Sequence, residues 1–394
     1  MRKKPPRETL PSPMIQLPPL YPLTDAGREP SLSAQVRAFG ESGLPLVQFR
    51  GKPLDAKTQY DELRSALQQS FENGGWPMIC VNDRADLALL AAREGLIPWG
   101  LHLGQMDLPP SEARRLPGLE RLHIGTSTHG ETEWSSVDAA CDHAGVGPFR
   151  ATSSKSDHAG PIGLEGLRMG CRELRLRGMS PIAIGGLKKD DFDDVFAAGA
   201  ASVALITELD REDPANLAWA AQLARWQARP PFHKHQGLAL VGSSGAGKST
   251  LATVLAPRLG LSPLDLDALI EAKTGKGIPQ LFEELGEPGF RSLEEETLAA
   301  SLGAPSVIAL GGGAWESSGI RRALDKAGFQ TLWIAEAPQN AWTRVAADPT
   351  RPLARDRTDF FTRHRARMQN WADLPCVLPL GREAIEIAGI LAAG

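Results

Sequence analysis

The sequence predicts an α/β protein: an N-terminal (β/α)8 TIM barrel followed by a C-terminal P-loop domain with a parallel sheet. Three observations carry this. From Leu17 to Arg229, eight short apolar runs alternate with segments of helical apolar spacing, the pattern of consecutive β/α units. From Gly237 onward, the loop Gly242-Ser243-Ser244-Gly245-Ala246-Gly247-Lys248-Ser249-Thr250 follows the apolar run Leu238–Val241 and precedes the amphipathic run Leu251–Leu259. Between the two, Arg229 to Gln236 is basic, contains proline and has no periodicity, as a linker should. The expected division is a disordered leader over 1–16, the barrel over 17–229, a linker over 230–236 and the P-loop domain over 237–394. His233 and His235 fall in the linker and are read as linker residues rather than a metal pair.

The barrel strands are expected at Leu20–Asp25, Leu46–Arg50, Met78–Asp83, Gly100–Gly104, Leu122–Ser127, Ala144–Gly147, Ile182–Gly186 and Val203–Thr207. Helical spacing recurs between them, as at Tyr60–Phe71, Leu87–Ala92, Leu164–Leu176 and Phe192–Ala198, with a shorter helix near Ser111–Arg115. Eight units in this length suit a compact barrel, with an open doubly wound sheet as the alternative.

Composition bounds the function classes. The chain has 394 residues, 42% hydrophobic and 23% charged, enough to bury sizeable cores. Its net charge of −4 argues against a broad nucleic-acid-binding surface. No apolar run approaches a membrane span, and the basic start lacks the apolar stretch of a signal peptide. Cys80, Cys141, Cys171 and Cys376 are scattered without a C-x-x-C. They read as free thiols of a cytoplasmic protein.

Barrel active sites form at the C-terminal ends of the strands, and polar residues gather there. They include Gln48, Arg50 and Lys52 after strand 2, Asn82 and Asp83 after strand 3, and His102 and Asp107 after strand 4. Ser127 ends strand 5, Thr152, Ser154 and Lys155 follow strand 6, and Gly185 and Gly186 follow strand 7. Two carboxylates and three cations at one mouth suit a Mg²⁺-bound diphosphate. The glycine turn suits a second, monoester phosphate. Taken singly, Asp83 could instead be a helix N-cap, His102 a core histidine, Arg50 an ion-pair partner and Gly185-Gly186 a tight turn.

From Leu20 to Leu209 the sequence resembles thiamine-phosphate synthase, through Tyr21-Pro22-Leu23-Thr24-Asp25, Gln48-Phe49-Arg50-Gly51-Lys52, Val81-Asn82-Asp83-Arg84, His102 to Asp107, Gly125 to His129, Gly147-Pro148 through Lys155, and Ala183 to Gly186. The resemblance implies joining of a hydroxymethylpyrimidine diphosphate to a thiazole phosphate by a dissociative displacement. It implies Mg²⁺ on Asp83 and Asp107. Arg50, Lys52, Asn82 and Lys155 would lie on the diphosphate, with Ser127 near the reacting centre. Gln48 and His102 would frame the pyrimidine, and Thr152, Ser154, Gly185, Gly186, Ile206 and Thr207 would hold the thiazole phosphate. Gly51, the Arg150-Ala151 pair and Thr207 depart from the family pattern, and Arg150 bears on the phosphate pocket. A thiazole tautomerase branch shares this barrel, but it tends to lose the diphosphate residues that are kept here.

In the second half, small residues let the loop backbone curl round a phosphate at a helix N-terminus, with Lys248 on the β/γ-phosphates and Ser249 on Mg²⁺. Asp265 and Asp267, two apart at a predicted strand end, would point the same way, one towards the metal and one towards an acceptor hydroxyl; an N-cap pair is the alternative. Val307–Leu310 runs into Gly311-Gly312-Gly313, and Arg344 and Arg351 lie in a segment that reads as a mobile lid.

This half resembles shikimate kinase, through the P-loop, Asp265-x-Asp267, Gly286-Glu287 to Phe290-Arg291 and Glu294, the three glycines, and Arg351-Pro352-Leu353. The resemblance implies ATP at Gly242, Gly245, Ala246, Gly247, Lys248, Ser249, Thr250, Arg344 and Arg351. It implies shikimate at Asp267, Arg291 and Gly311 to Gly313, with Asp267 as base and Mg²⁺ at Ser249 and Asp265. The family's further carboxylate-binding arginine falls, in the nearest register, on His364, which leaves Arg363 or Arg365 to serve. Small-molecule substrates are therefore expected in both halves, with a homo-oligomer left open. A non-catalytic barrel, or a kinase for another hydroxy acid, are the rival readings.

Overall fold

In a computed structural model, residues 14–151, 160–229, 236–346 and 356–393 are described. The predicted Thr152, Ser154, Lys155 and Arg351, and the linker histidines, lie outside them.

The first half alternates strands and helices: β1 (Leu20–Pro22), α1 (Leu32–Glu41), β2 (Leu46–Phe49), α2 (Ala56–Glu72), β3 (Met78–Asn82), α3 (Ala85–Arg93), β4 (Gly100–Leu103) and α4 (Pro110–Ala113). It continues through β5 (His123–Thr128), α5 (Glu131–Ser136), β6 (His143–Val146), α6 (Gly163–Leu176), β7 (Ser180–Ala183), α7 (Phe192–Ala197), β8 (Ser202–Leu205) and α8 (Pro214–Gln227). All pairings between these strands are parallel, in the order β1-β8-β7-β6-β5-β4-β3-β2. A bridge between Leu23 and Gln48, with the Thr24 N–H on the Gln48 carbonyl at 3.0 Å, brings β1 to β2 and closes the barrel. The open-sheet alternative is thereby excluded. Strands buried on both faces explain the continuous apolar runs. One large interior residue sets its neighbour: a Cβ at Gly125 would lie 2.0 Å from the His143 ring, so glycine is required there.

Met14 to Gln16, assigned above to the leader, lie against the barrel: the Ser180 hydroxyl donates to the Ile15 carbonyl at 2.5 Å, and Leu17 is fully buried. Apolar side chains beside the barrel floor hold this stretch in place.

The second half runs β9 (Leu238–Val241), α9 (Lys248–Leu259), β10 (Ser262–Asp265), α10 (Leu266–Thr274), α11 (Ile278–Ser301), β11 (Ser306–Ala309), α12 (Ser318–Lys326), β12 (Gln330–Ile334), α13 (Pro338–Val345), α14 (Arg357–Trp371), β13 (Cys376–Val377) and α15 (Ala384–Ala393). Its parallel sheet has the order β10-β11-β9-β12-β13. The P-loop thus leaves the central strand, and the three glycines leave the strand beside it. The motif Gly286-Glu287 sits at a kink inside α11, where Gly286 has φ +65°. Asp267 is not at a strand end: β10 stops at Asp265, whose side chain caps α10 by accepting from the Ala268 N–H at 3.2 Å. The capping preference of Asp overrode strand alternation here.

The two halves pack directly. Trp76 of the barrel meets Trp333 edge-on, 6.5 Å between centroids, and Trp333 continues to Trp371. Gln222 on α8 satisfies both backbone groups of Leu378: its Nε2 donates to the carbonyl at 3.0 Å and its Oε1 accepts from the N–H at 2.6 Å. Gln222→Leu leaves two buried backbone groups without partners. It should cost about 2 kcal/mol and lower the midpoint of urea unfolding; an unchanged midpoint would remove the clamp from the account.

Candidate active sites

At the barrel mouth, Asp83 follows β3 with φ +61°. That conformation is costly for most residues but tolerated by Asp. It does not cap α3, whose N-cap is Arg84, so the N-cap alternative fails. Instead its carboxylate pairs with Lys52. Asp107 comes from the next loop, held by the Gly104 N–H at 2.7 Å. A Cβ placed on Gly104 would lie 2.9 Å from an Asp107 oxygen and 3.8 Å from an Asp83 oxygen. Both carboxylates therefore converge over that glycine.

Their titration is split. Burial pushes the Asp83 carboxyl up, but the Lys52 ammonium beside it brings it below the usual carboxylate range. Burial raises Asp107; the Gly104 N–H opposes this, and the Asp83 charge adds to the rise. Two crowded carboxylates are a hard oxygen donor set. Mg²⁺ commonly takes one or two carboxylates and completes its shell with water and phosphate oxygens, so the pair fits that ion. Among the described residues no group of three or more His, Cys, Asp or Glu side chains is arranged to hold a metal ion by itself.

Below the mouth lies a cavity of about 420 Å³. Gln48, Arg50, Asn82, His102 and Ser127 line one side. Gly185, Gly186, Ile206 and Thr207 line the other. His102 and Ser127 are buried and joined, Nε2 to Oγ, at 2.9 Å. Gln48 donates to the Tyr21 hydroxyl at 3.4 Å. The Arg50 backbone is pinned by the Thr24 hydroxyl, which accepts from its N–H at 2.8 Å and donates to its carbonyl at 3.1 Å. Lys52 stands outside the cavity lining, more than half exposed and engaged with Asp83.

Gly185 and Gly186 have φ +86° and +67°, and a Cβ at Gly185 would lie 2.5 Å from Pro148. The Arg150 side chain turns towards Asp191 in a two-pronged ion pair, while its N–H donates to the Gly185 carbonyl at 3.0 Å. Arg150 lines the cavity without its charge being open, and it braces the glycine turn. Sequence reasoning did not foresee Asp191 as its partner, because the two are joined only across neighbouring strand ends.

In the second half, Gly242, Gly245 and Gly247 all have positive φ, and a Cβ at Gly245 would lie 2.3 Å from the Ala341 carbonyl. Lys248 folds back over the loop, donating to the carbonyls of Gly242 and Ser243 at 2.9 and 2.8 Å. Ser249 Oγ donates to the Asp265 carboxylate, which brings the two predicted metal residues together. Arg344 donates to the Gly245 carbonyl at 3.0 Å and to Glu336 at 2.7 Å, beside the P-loop.

The acceptor cleft lies where the Gly311-Gly312-Gly313 turn meets the loop. A Cβ at Gly312 would lie 2.7 Å from Ser244 Oγ, and one at Gly311 would lie 3.0 Å from Asp267 and 2.5 Å from Glu294. At Gly313 it would meet Arg291 at 2.4 Å and Arg367 at 2.7 Å. Two guanidiniums thus converge on one bare glycine. Arg291 is held by Glu294 at 2.7 Å and Glu287 at 3.0 Å, and Arg367 by Glu316 at 3.0 Å. Burial pushes the Glu294 carboxyl up, against the pull of Arg291.

Of the two arginines expected to serve as the further ligand, only Arg363 lies at the cleft. Arg365 points out of the cleft to the barrel, donating to the Phe71 carbonyl at 2.8 Å. Arg363 lines the cleft, with Asp359 at 3.7 Å. Arg367 was missed; its signal was the helical spacing Phe360, Arg363 or His364, Arg367, Trp371, which marks one face. His364 is fully buried, and its ring nitrogen Nδ1 faces the Gly74 carbonyl of the barrel at 2.8 Å.

A closed (β/α)8 barrel with a carboxylate pair at its mouth and a P-loop domain with an arginine-lined cleft stand in one chain, and each half matches a family of transferases. The model "Thiamine monophosphate synthase" matches residues 20–209, and the model "Shikimate kinase" matches residues 244–374. Similar relatives include thiamine-phosphate synthases of Pelotomaculum thermopropionicum, 36% identical over 43% of this chain and 73% of the relative, and of Chloroflexus aurantiacus, 38% over 49% and 86%. Through its first half the chain belongs to the thiamine-phosphate synthase family, and its second half carries the shikimate kinase pattern. Similar solved structures are a thiamine phosphate pyrophosphorylase from Pyrococcus furiosus (26% identity, TM-score 0.45, 54% of this chain and 98% of that one) and a shikimate kinase from Acinetobacter baumannii in complex with shikimate (29%, 0.37, 39% and 89%). No helix among the described residues is long and apolar enough to cross a membrane.

Burial lowers the His364 pKa from an ordinary 6.5 to about 4. The unfolded chain then binds more protons between those values, so stability falls as pH drops through that window. The His364 contribution to that loss is about 3 kcal/mol by pH 4. His364→Gln should flatten this part of the stability–pH curve measured by denaturant unfolding; an unaltered slope would place the titration elsewhere.

Proposed function

We propose that the chain is bifunctional. Its barrel joins a hydroxymethylpyrimidine diphosphate to a thiazole phosphate, releasing diphosphate, and its P-loop half transfers phosphate from ATP to shikimate.

For the barrel, the supporting observation is the carboxylate pair Asp83/Asp107 converging at Gly104, with Asp83 next in sequence to Asn82 and close to His102–Ser127 of the cavity lining. Arg50 and Asn82 bind diphosphate oxygens, and Lys52 can leave Asp83 for the leaving group when the carboxylates are otherwise engaged. Asp83 and Asp107 would hold Mg²⁺, which supplies positive charge to the departing diphosphate. Gln48 and His102 frame the pyrimidine. Ser127, hydrogen-bonded to His102, faces the reacting centre. Gly185, Gly186, Ile206 and Thr207 receive the thiazole phosphate, together with Thr152 and Ser154, while Lys155 joins Arg50 and Asn82 on the diphosphate. The retention of these diphosphate-side residues in one mouth favours synthase over tautomerase.

For the kinase, the supporting observation is the convergence of Arg291 and Arg367 on Gly313, with Asp267 facing Gly311 one residue-length from the P-loop. A planar pair of guanidiniums suits a carboxylate. Asp267 accepts the hydroxyl proton, while Lys248, Arg344 and Arg351 serve the nucleotide. Ser249 and Asp265 would hold Mg²⁺, which would supply positive charge to the transferring phosphate.

Asp83→Ala should abolish thiamine phosphate formation by the full chain while leaving ATP turnover intact. Loss of both activities would instead indicate a folding defect. Asp267→Asn should cut shikimate-dependent ADP release by about 10²-fold or more. Shikimate-independent ADP release, equal in wild type and variant, would send the search to another acceptor.

A further inference from the structure

Helix α14 has two working faces. One lines the acceptor cleft with Arg363, His364 and Arg367. The other is seated on the barrel, at the turn from α2 to β3. There the Arg365 guanidinium stacks 3.6 Å over the Phe71 ring and donates to the Phe71 carbonyl at 2.8 Å. His364 is kept neutral by burial. Since a carbonyl can only accept, its Nδ1–H donates to Gly74. The turn fits closely because it is glycine. Gly74 and Gly75 have φ +71° and +85°, and added Cβ atoms would lie 3.2 Å from the Phe361 carbonyl and 3.3 Å from Arg365. Trp371, at the end of the same helix, is edge-on to His364 at 5.5 Å and is linked through Trp333 to Trp76 of that turn.

We propose that this barrel turn is a working part of the kinase acceptor site, with Phe71 and Arg365 as positioning residues that hold Arg367 ready for the acceptor carboxylate. The proposal rests on the acceptor reading given above. Its physical basis is that α14's own domain grips the helix near its start, where Phe360 and Phe361 pack with Ala341 and Val345, and at its end, where Trp315 donates to the Asn370 carbonyl at 3.2 Å, while the stretch around Arg365 is seated on the barrel. Fifteen residues make a marginal helix in water, and Arg357, Arg363, Arg365 and Arg367 crowd like charges onto it. The barrel takes up Arg365 with a carbonyl and an aromatic face, and it pins the helix two residues before Arg367. Without that seat, the acceptor would have to settle the middle of the helix on binding, which weakens its apparent affinity.

The test uses the full chain with Phe71→Ala, Arg365→Ala and Arg365→Lys, none of them in either catalytic site. ADP release is measured against shikimate and against ATP, and amide exchange is followed over 357–371. The expected result is a KM for shikimate raised about fivefold or more in the alanine variants, with kcat and the KM for ATP near wild type. Arg365→Lys, which keeps the charge, should fall between, and exchange in α14 should quicken. A general loss of stability would reduce the active fraction, and so kcat, without moving KM. An unchanged KM for shikimate, or an equal rise in the KM for ATP, overturns the proposal. If the wild type shows no shikimate-dependent turnover, the acceptor reading itself fails. Exchange then decides the docking alone: quicker exchange keeps the barrel as the seat of α14, and identical exchange removes it.

Discussion

Parallel strand pairing is the constraint on which both halves depend. Strands buried on both faces leave no room for charge along their length. Polar groups can collect only where the strands end and the backbone turns away from the sheet. In the barrel this places Asn82, His102, Ser127 and Gly185 around one opening; in the second half it places the P-loop and the three glycines on neighbouring strands. The glycines are needed because the side chains opposite approach too closely for a Cβ, as at Gly185, Gly245 and Gly311.

Within those openings, charge is held in opposed pairs. Lys52 lies on Asp83, Arg150 on Asp191, Arg291 on Glu294 and Arg367 on Glu316. A partly buried charge without a partner would shift towards its neutral form. Paired, each side chain is oriented before any substrate arrives, which is the preorganisation that electrostatic catalysis requires. The Asp83–Asp107 contact is the exception, a like-charge pair. Its two carboxylates titrate in opposite directions, Asp83 lowered beside Lys52 and Asp107 raised by burial and by the Asp83 charge.

The contact between the halves shows the same economy. Gln222 satisfies both backbone groups of Leu378, and a row of tryptophans fills the space between Trp76 and Trp371. One continuous apolar cluster includes Leu17 and Trp76 from the barrel and Trp333, Trp371 and Leu378 from the second half. The second half is thus built against the barrel, and its acceptor helix has part of its support there.

The sequence by itself determined the two architectures, because strand runs, helical spacing and a P-loop are local patterns that survive without knowledge of distant partners. It also located the residues carried by contiguous motifs at strand ends, such as Gln48 and Arg50, Asn82 and Asp83, and Lys248 and Ser249. What only the tertiary structure decided was direction. Whether Asp83 caps a helix, whether Asp267 ends a strand, where Arg150 turns and which arginine of α14 enters the cleft all depend on partners far along the chain. Arg365 and Arg367 are two residues apart on one helix, so they face different neighbours, the barrel and the cleft. A helix turns by about 100° per residue, and no count of arginines in the sequence says which side the barrel will cover.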